Sequence, residues 1–407
     1  MGIILSPMQN NAKKKTIMWY EISSEQVFTI SGVAGSGKST IVSAIIDELG
    51  LQQFQVAFCT FTGKAALVLN QKGNRATTIH KLIYDTQVQN IKDKDGIYRK
   101  VAINTKKTQL SSLLRLIVID EAYMVAKHLI KDLMSYGIKI LLLGDNGQLK
   151  PIGEDNGYFE NPDVLLTEIH RQAADNPIIY LSELARLDKL VKWDWVNRKA
   201  VLNGHLTYGM LGNKVAIIPK DDIEAGYMLR ADQVLCGKND TRKLLNQEIR
   251  DELGFSGTFP QVGEKIICIK NNWDKEIKVE GVTMNLINGM TGQVIDEPYK
   301  FDKHSRTHRL GFQPDGATEY SYFPDILADS EDFKLDYPTP VNHKTREMIE
   351  RDEKINKFDF GYAITTHKAQ GSQWNKVFVY YEHIYKQHEK WSYTAITRAA
   401  DKLILAI

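Results

Sequence analysis

The chain has 407 residues, 43% hydrophobic and 25% charged, with a formal net charge of +2. That length asks for two or more domains, and the composition is ordinary for a globular protein, which sets aside disordered and fibrous classes. Three scattered cysteines (Cys59, Cys236 and Cys268) have no C-x-x-C spacing and offer neither a disulfide framework nor a zinc site.

The near-neutral charge means that a nucleic-acid partner would be met by basic groups gathered in one channel. No apolar run is long enough to span a bilayer. The N-terminal MGIILSPMQNNAKKK places its apolar patch before its charges, the reverse of a signal peptide. A reducing, cytoplasmic setting is expected, with no membrane partner.

Short β-rich apolar runs alternate with helical stretches, the pattern of parallel α/β sheets. Strands are expected at 27–30, 55–61, 113–120, 138–144 and 164–169, then at 215–218, 233–236, 362–365, 376–381 and 403–407. Helices are expected after Gly37, Gly63, Glu121 and Asn239, the last capped by Asn239 and stopped at Gly254. Two segments break the alternation. Residues 86–110 are polar and centre on Asp95-Gly96, a hairpin signal. Residues 275–345 are rich in Gly, Pro, Asp and aromatics and read as a small β insertion followed by a loop.

GVAGSGKS (32–39) follows the strand VFTI and opens a helix, which is G-x-x-x-x-G-K-[ST] in the context that motif requires. Gly32, Gly35, Ser36, Gly37 and Thr40 are the candidate backbone cradle for nucleotide phosphates, with a helix N-terminus adding partial positive charge. Lys38 would reach the β- and γ-phosphates and the Ser39 hydroxyl would take Mg²⁺, so ATP and Mg²⁺ are the expected cofactors. Asp120 and Glu121 end the run LIVID. An acidic pair at a strand end is often only a helix cap. Downstream of a phosphate loop, Asp120 reads as a second Mg²⁺ group and Glu121 as the residue that orients or deprotonates the attacking water.

Further motifs are more selective. In chain order they are LSPMQNNA (5–12), TFTGKAALVL (60–69), TTIHKLI (77–83), LLLGDNGQLKPIG (141–153), EIHRQ (168–172), LINGMTGQVI (286–295), GYAITTHKAQGSQW (361–374) and YTAITRAADKLIL (393–405). Taken with the phosphate loop, this set resembles superfamily 1 helicases of the B branch, the RecD and phage Dda type, over residues 5–407.

The resemblance implies an α/β fold of two RecA-like P-loop NTPase lobes with parallel sheets. The first lobe (1–85 and 111–175) would carry a β-hairpin insertion at 86–110. The second (176–273 and 346–407) would carry a small SH3-like β-barrel at 274–345. It further implies an ATP-dependent DNA helicase that translocates 5′→3′ on single-stranded DNA and meets single-strand/duplex junctions. Single-strand-binding, replication or recombination proteins would be its partners. The compact length is similar to phage-encoded relatives, which would place it in a host cytoplasm. The alternative is a strand-stimulated translocase subunit of a recombination or nuclease complex without its own unwinding. RNA as the track stays open.

Residue by residue, Gln9 would read adenine, since an amide donates and accepts at once. Gln148 would sense the γ-phosphate, Arg171 would stretch to it, and Gln370 and Gly371 would face the nucleotide. Arg398 would be the arginine finger, a guanidinium suited to charge developing in the transition state. Thr60, Thr62, Gly63, Lys64, Thr78, His80, Asn288, Thr365, Thr366, His367 and Lys368 would hold the strand. Tyr98, just past Asp95-Gly96, either stacks on the last base pair, worth about 1–3 kcal/mol per base, or is an incidental hairpin tyrosine. Trp273 and Trp374 are open in the same way between base stacking and core packing. Two departures from the family pattern stand out: Lys150 replaces a proline in GDxxQLPP, and Tyr123 replaces the more frequent serine.

Overall fold

Six strands of the first half form one all-parallel sheet. They are β1 (Val27–Gly32), β2 (Val56–Thr60), β3 (Ala76–Thr78), β4 (Leu116–Ile119), β5 (Lys139–Gly144) and β6 (Val164–Leu166), in the spatial order β3-β2-β4-β5-β1-β6. The computed structural model describes residues 5–71, 73, 75–92, 98–150, 156–168, 175–194, 196–197, 199–279, 282–300, 307–333 and 355–407. Alternation along the central strands splits their side chains between two cores. Leu116, Val118, Leu141 and Leu143 pack with Ile41, Ile45 and Trp19 on one face. Ile117, Ile119, Ile140 and Leu142 pack with Leu129 and Leu133 on the other. A parallel sheet covered on both faces needs such unbroken apolar strands, and each aliphatic side chain so buried contributes roughly 1.5–3 kcal/mol.

The chain divides into two compact units. One comprises Met1–Tyr84, Lys106–Ile223 and Ala369–Ile407, and the other Asp85–Thr105 and Glu224–Lys368. In the first unit, Val215–Ile218 pairs in parallel with Ala399–Ala406, which pairs in parallel with Trp374–Tyr380, while Gly209–Leu211 adds an antiparallel edge. In the second, Gln233–Cys236 and Ala363–Thr365 run parallel beside the helix Asn239–Glu252. A separate antiparallel sheet there has the order Tyr299–Lys300, Thr307–Pro314, Thr291–Val294, Lys265–Cys268, Phe358–Phe360, with Phe323–Asp329 also paired to Thr307–Pro314. Phe312, Phe323, Phe358 and Phe360 fill its core. Tyr84–Lys92 and Tyr98–Lys106 form the two-stranded sheet expected around 86–110, the Asp95-Gly96 turn lying outside the described residues.

Several expected boundaries shift. The helix expected to be capped by Asn239 takes Lys238 as its N-cap with no side-chain cap bond, so the asparagine is its first residue instead. Gly254 does follow its end at φ +76°, a left-handed stop. Glu121 is followed by a 3₁₀ turn, Ala122–Met124, before the helix Lys127–Met134. The helix α1 (Pro7–Ile22) is an addition. Ser6, Pro7 and Gln9 form a capping box with proline in the first turn, a start signal that sits in the sequence as S-P-M-Q. Among the described residues no helix is long and apolar enough to cross a membrane.

Within the second unit Arg250 and Glu264 are both buried and pair twice, Nε to Oε1 at 2.6 Å and Nη2 to Oε2 at 3.1 Å, with the guanidinium 4.0 Å from the Phe360 ring centroid. Replacing Arg250 by methionine strands a buried carboxylate, so Arg250→Met should destabilise this unit by about 3–5 kcal/mol, read as a shift of its urea-unfolding transition.

Candidate nucleotide and strand site

The phosphate loop hangs between β1, whose side chains are almost all buried, and α2 (Lys38–Glu48). Gly35 and Gly37 take φ of +79° and +76°, values that a β-carbon resists, and Gly37 caps α2 without a side-chain acceptor. The first-turn N–H groups therefore have no acceptor from the cap and suit an anion. Gly32 is needed for packing instead: a Cβ there would lie 2.5 Å from Ser36 Oγ. That hydroxyl is buried without a hydrogen-bond partner among the described residues. Lys38 Nζ rests on loop carbonyls, donating to Gly32 O at 2.6 Å and Val33 O at 3.4 Å.

Gln9 is buried beneath this loop. Its Nε2 donates to Ser36 O at 3.0 Å and its Oε1 accepts the Ser6 N–H at 3.0 Å. The amide thus ties the capped start of α1 to the phosphate loop.

Lys38, Asp120, Glu121, Gln148, Gly371 and Arg398 line one cavity of about 300 Å³ in the first unit. That is the low end of the usual range for ligand pockets, roughly 300–1,000 Å³. Asp120 follows β4, its N–H bonded to Cys59 O at 2.9 Å, and its Oδ1 accepts the Glu121 N–H at 2.9 Å. Glu121 holds φ +52°, a left-handed backbone unusual for glutamate and of the kind found where side-chain placement matters. Burial raises its carboxyl pKa, opposed by Arg398 and Lys38 and reinforced by Asp120 and Asp145.

Arg398 is buried. Its Nε donates to Thr394 O at 3.1 Å, Nη1 to Ser372 O at 3.1 Å and Nη2 to Thr397 Oγ1 at 3.3 Å. Gln370 is buried and donates through Nε2 to Leu149 O at 2.7 Å, which anchors the segment bearing Gln148. Gly371 adopts φ +70°, with space for a Cβ limited by Thr62 Oγ1 at 3.3 Å. Ser39 and Thr40 lie in the first turn of α2. Arg171 lies outside the described residues, as do the side chains of Lys64, Tyr98 and Trp273.

The strand candidates divide by exposure. Thr62 precedes and Gly63 begins α3 (Gly63–Gln71), where Thr62 Oγ1 accepts the Ala65 N–H at 3.3 Å. Thr78 caps the helix Ile79–Ile83 by accepting the Lys81 N–H at 3.2 Å. Asn288 is exposed, its N–H bonded to Asn271 Oδ1 at 2.7 Å. His367 and Lys368 are half-buried and both have pKa values lowered by burial, Lys368 against the pull of Asp359.

Three candidates turn inward. Thr60 is buried and donates to Thr62 O at 2.8 Å. Thr366 is fully buried, its hydroxyl donating to Cys236 O at 3.2 Å; the preceding Thr365, at the end of its strand, keeps 9% exposure. His80 packs between Phe61 and Tyr84, with ring centroids 6.4 and 5.6 Å away, and its pKa is lowered by burial and then by His128. Trp374 is half-buried at the start of its strand.

The motifs did not single out Asp145 or Tyr393. The Tyr393 hydroxyl donates to Asp145 Oδ2 at 2.6 Å and accepts the Ala34 N–H at 2.8 Å. A buried carboxylate straight after β5, in GDNGQ, was the available signal. Lys390 Nζ reaches the hydroxyl of the unusual Tyr123 at 3.2 Å.

Residues 5–205 match the AAA domain family and residues 360–406 the UvrD-like helicase C-terminal domain. The chain is 23% identical to the ATP-dependent RecD2 DNA helicase of Deinococcus radiodurans over 403 residues, covering 95% of this chain and 47% of that one. It therefore spans about half the length of that relative. It is 26% identical to the ATP-dependent DNA helicase dda of Enterobacteria phage T4 over 401 residues, covering 86% and 87%. A solved structure of Pif1 helicases, concerned with unwinding at forked double-stranded DNA, matches with a TM-score of 0.52 at 17% identity, covering 100% and 92%. That likeness shows the fold. The resemblance to B-branch superfamily 1 helicases is borne out by these relatives.

The Gly32–Ser36 packing yields a direct expectation. Gly32→Ala should weaken binding of a fluorescent ATP analogue by at least about tenfold, the scale of a one-ångström shift in a phosphate cradle. Adding Ser36→Gly should restore part of the loss, because the clash lies with that hydroxyl.

Proposed function

We propose that this chain, a relative of the B-branch superfamily 1 helicases, is an ATP-dependent DNA helicase that moves 5′→3′ on single-stranded DNA. The observation that carries the reading is the one cavity that gathers Lys38, Asp120, Glu121, Gln148 and Arg398 beside a bare helix N-terminus. Two cations face phosphate charge there. A carboxyl whose pKa is raised by burial is suited to accept a proton from water, and Gln148 is suited to orient it. Gln9, whose amide both donates and accepts, would read adenine.

Mg²⁺ would be held by the Asp120 carboxylate, which lines that cavity, and by the Ser39 hydroxyl in the first turn of α2, hard oxygen donors of the kind that ion takes alongside phosphates and water. When bound it would neutralise the β- and γ-phosphates. Arg171 would add a further γ-phosphate contact.

Strand contacts would come from Thr62, Gly63, Lys64, Thr78, Asn288, Thr365, His367 and Lys368. Thr60, Thr366 and His80, turned inward, would shape these loops from behind. One covalent feature supports coupling: residues 365–368 and residues 370–371 are separated by Ala369 alone, yet they fall in different compact units. A change at Gln370 on the nucleotide side is therefore a change at the end of the strand-holding segment. The paired strands Tyr84–Lys92 and Tyr98–Lys106 would act as a wedge that splits the duplex, with Tyr98 stacking on the last base pair. The antiparallel sheet around Thr291–Val294 would be the SH3-like insertion.

The experiment is unwinding of a short duplex bearing either a 5′ or a 3′ single-stranded tail, with Mg-ATP, by wild type and Lys38→Ala. Opening of the 5′-tailed substrate alone, lost in Lys38→Ala, is expected. Opening of the 3′-tailed one alone would keep the motor and reverse its direction. Strand-stimulated ATP hydrolysis with no opening would favour the translocase-subunit reading.

A further inference from the structure

The helix His388–Ile396 touches three loops of the ATP cavity through one face. Residues 390, 393 and 394 have the i, i+3, i+4 spacing that brings helical side chains together. Lys390 reaches Tyr123, just after Asp120 and Glu121, and Thr394 Oγ1 accepts the Leu149 N–H at 2.9 Å. Tyr393 lies between them, fully buried. Its hydroxyl is shared between residues 359 and 248 positions away in sequence, the Ala34 N–H of the phosphate loop and the Asp145 carboxylate.

Asp145 is itself buried, and its other oxygen accepts the Gly147 N–H at 3.0 Å. A Cβ on Gly147 would lie 3.1 Å from the Tyr393 ring, so the ring also fixes the turn that leads to Gln148. Gln148 N–H closes that turn on Asp145 O at 3.2 Å. A buried tyrosine needs one partner for its hydroxyl, and any nearby carbonyl would serve. Here the hydroxyl instead completes an unbroken relay from phosphate loop to phenol to carboxylate to the Gln148 turn. Five residues beyond Tyr393, Arg398 is tied back to the same helix through Thr394 O.

We propose that the Tyr393 hydroxyl is a positioning group of the ATPase site, setting the spacing between the phosphate loop and the Gln148 segment and holding both in register with the element that carries Arg398. The proposal rests on the helicase reading above. The phenol acts through Ala34 and Asp145. Its loss should therefore lower turnover more than ATP affinity, because the groups it aligns act on the reacting phosphate whereas most binding contacts come from the loop backbone.

The test is steady-state, strand-stimulated ATP hydrolysis by wild type, Tyr393→Phe, Asp145→Asn and the double variant, with thermal unfolding of each. Tyr393→Phe keeps the ring. It should lower kcat by on the order of tenfold, leave KM for ATP within about twofold and keep the unfolding midpoint close to wild type, which is the split expected when an aligning contact is lost. The double variant should be no slower than the slower single, because both break one relay. A wild-type kcat in Tyr393→Phe would overturn the proposal, as would additive losses in the double variant or a fall that simply tracks lost stability. With wild type active, those results sink the tyrosine alone. A wild type that hydrolyses no ATP with any strand would sink the helicase reading and this proposal together.

Discussion

Three carboxylates, Asp120, Glu121 and Asp145, share the surroundings of the phosphate loop with the cations Lys38 and Arg398. Groups of opposite sign in a half-buried space tend to collapse onto one another, and each charge left unpaired there is costly. The fold occupies them separately. Lys38 rests on carbonyls of its own loop, Arg398 is held by Thr394 O and Ser372 O, and Asp145 is satisfied by Tyr393 and Gly147. Glu121 is left beside the others with its pKa raised, on a strained backbone. The charges stay apart because backbone and neutral groups hold them, so they stay available to a phosphate.

That arrangement asks for a rigid floor. The parallel sheet provides it by burying both faces of β4 and β5, so the residues that follow each strand, Asp120 and Asp145, emerge from fixed points. On the other side Gln370 and the helix His388–Ile396 grip the backbone of Leu149 through its carbonyl and its N–H. The unusual Tyr123 fits this scheme, since its hydroxyl gives Lys390 a partner that a serine would be too short to supply in the same place.

Features with local causes were legible in the sequence. The ten expected strands all have counterparts, because unbroken aliphatic runs such as LLRLIVID leave little else for a buried segment to be. The phosphate loop was legible because its glycines answer a local backbone need. Less visible were features decided by partners far along the chain. Tyr393 and Asp145 meet across 248 positions, and although Asp145 follows a buried strand in GDNGQ, nothing local marks the tyrosine as its partner. Thr60, Thr366 and His80 look like surface contact residues in their motifs, yet the sheet and neighbouring rings draw them inward. The helix Pro7–Ile22 had a readable capping box, but its apolar face is weakly periodic. Lys238 displaces Asn239 as cap by one residue, the usual scale of error at helix ends.

The C-terminal segment completes the cavity by bringing Arg398 to it. The most direct measurement is single-turnover ATP hydrolysis with saturating single-stranded DNA, comparing wild type with Arg398→Ala and following ATP binding in parallel. The account predicts that hydrolysis falls by about a thousandfold or more, the scale of an arginine that stabilises transition-state charge, while binding changes little. Full strand-stimulated hydrolysis in Arg398→Ala would contradict it and leave the arginine a packing residue in the turn between the helix His388–Ile396 and the last strand.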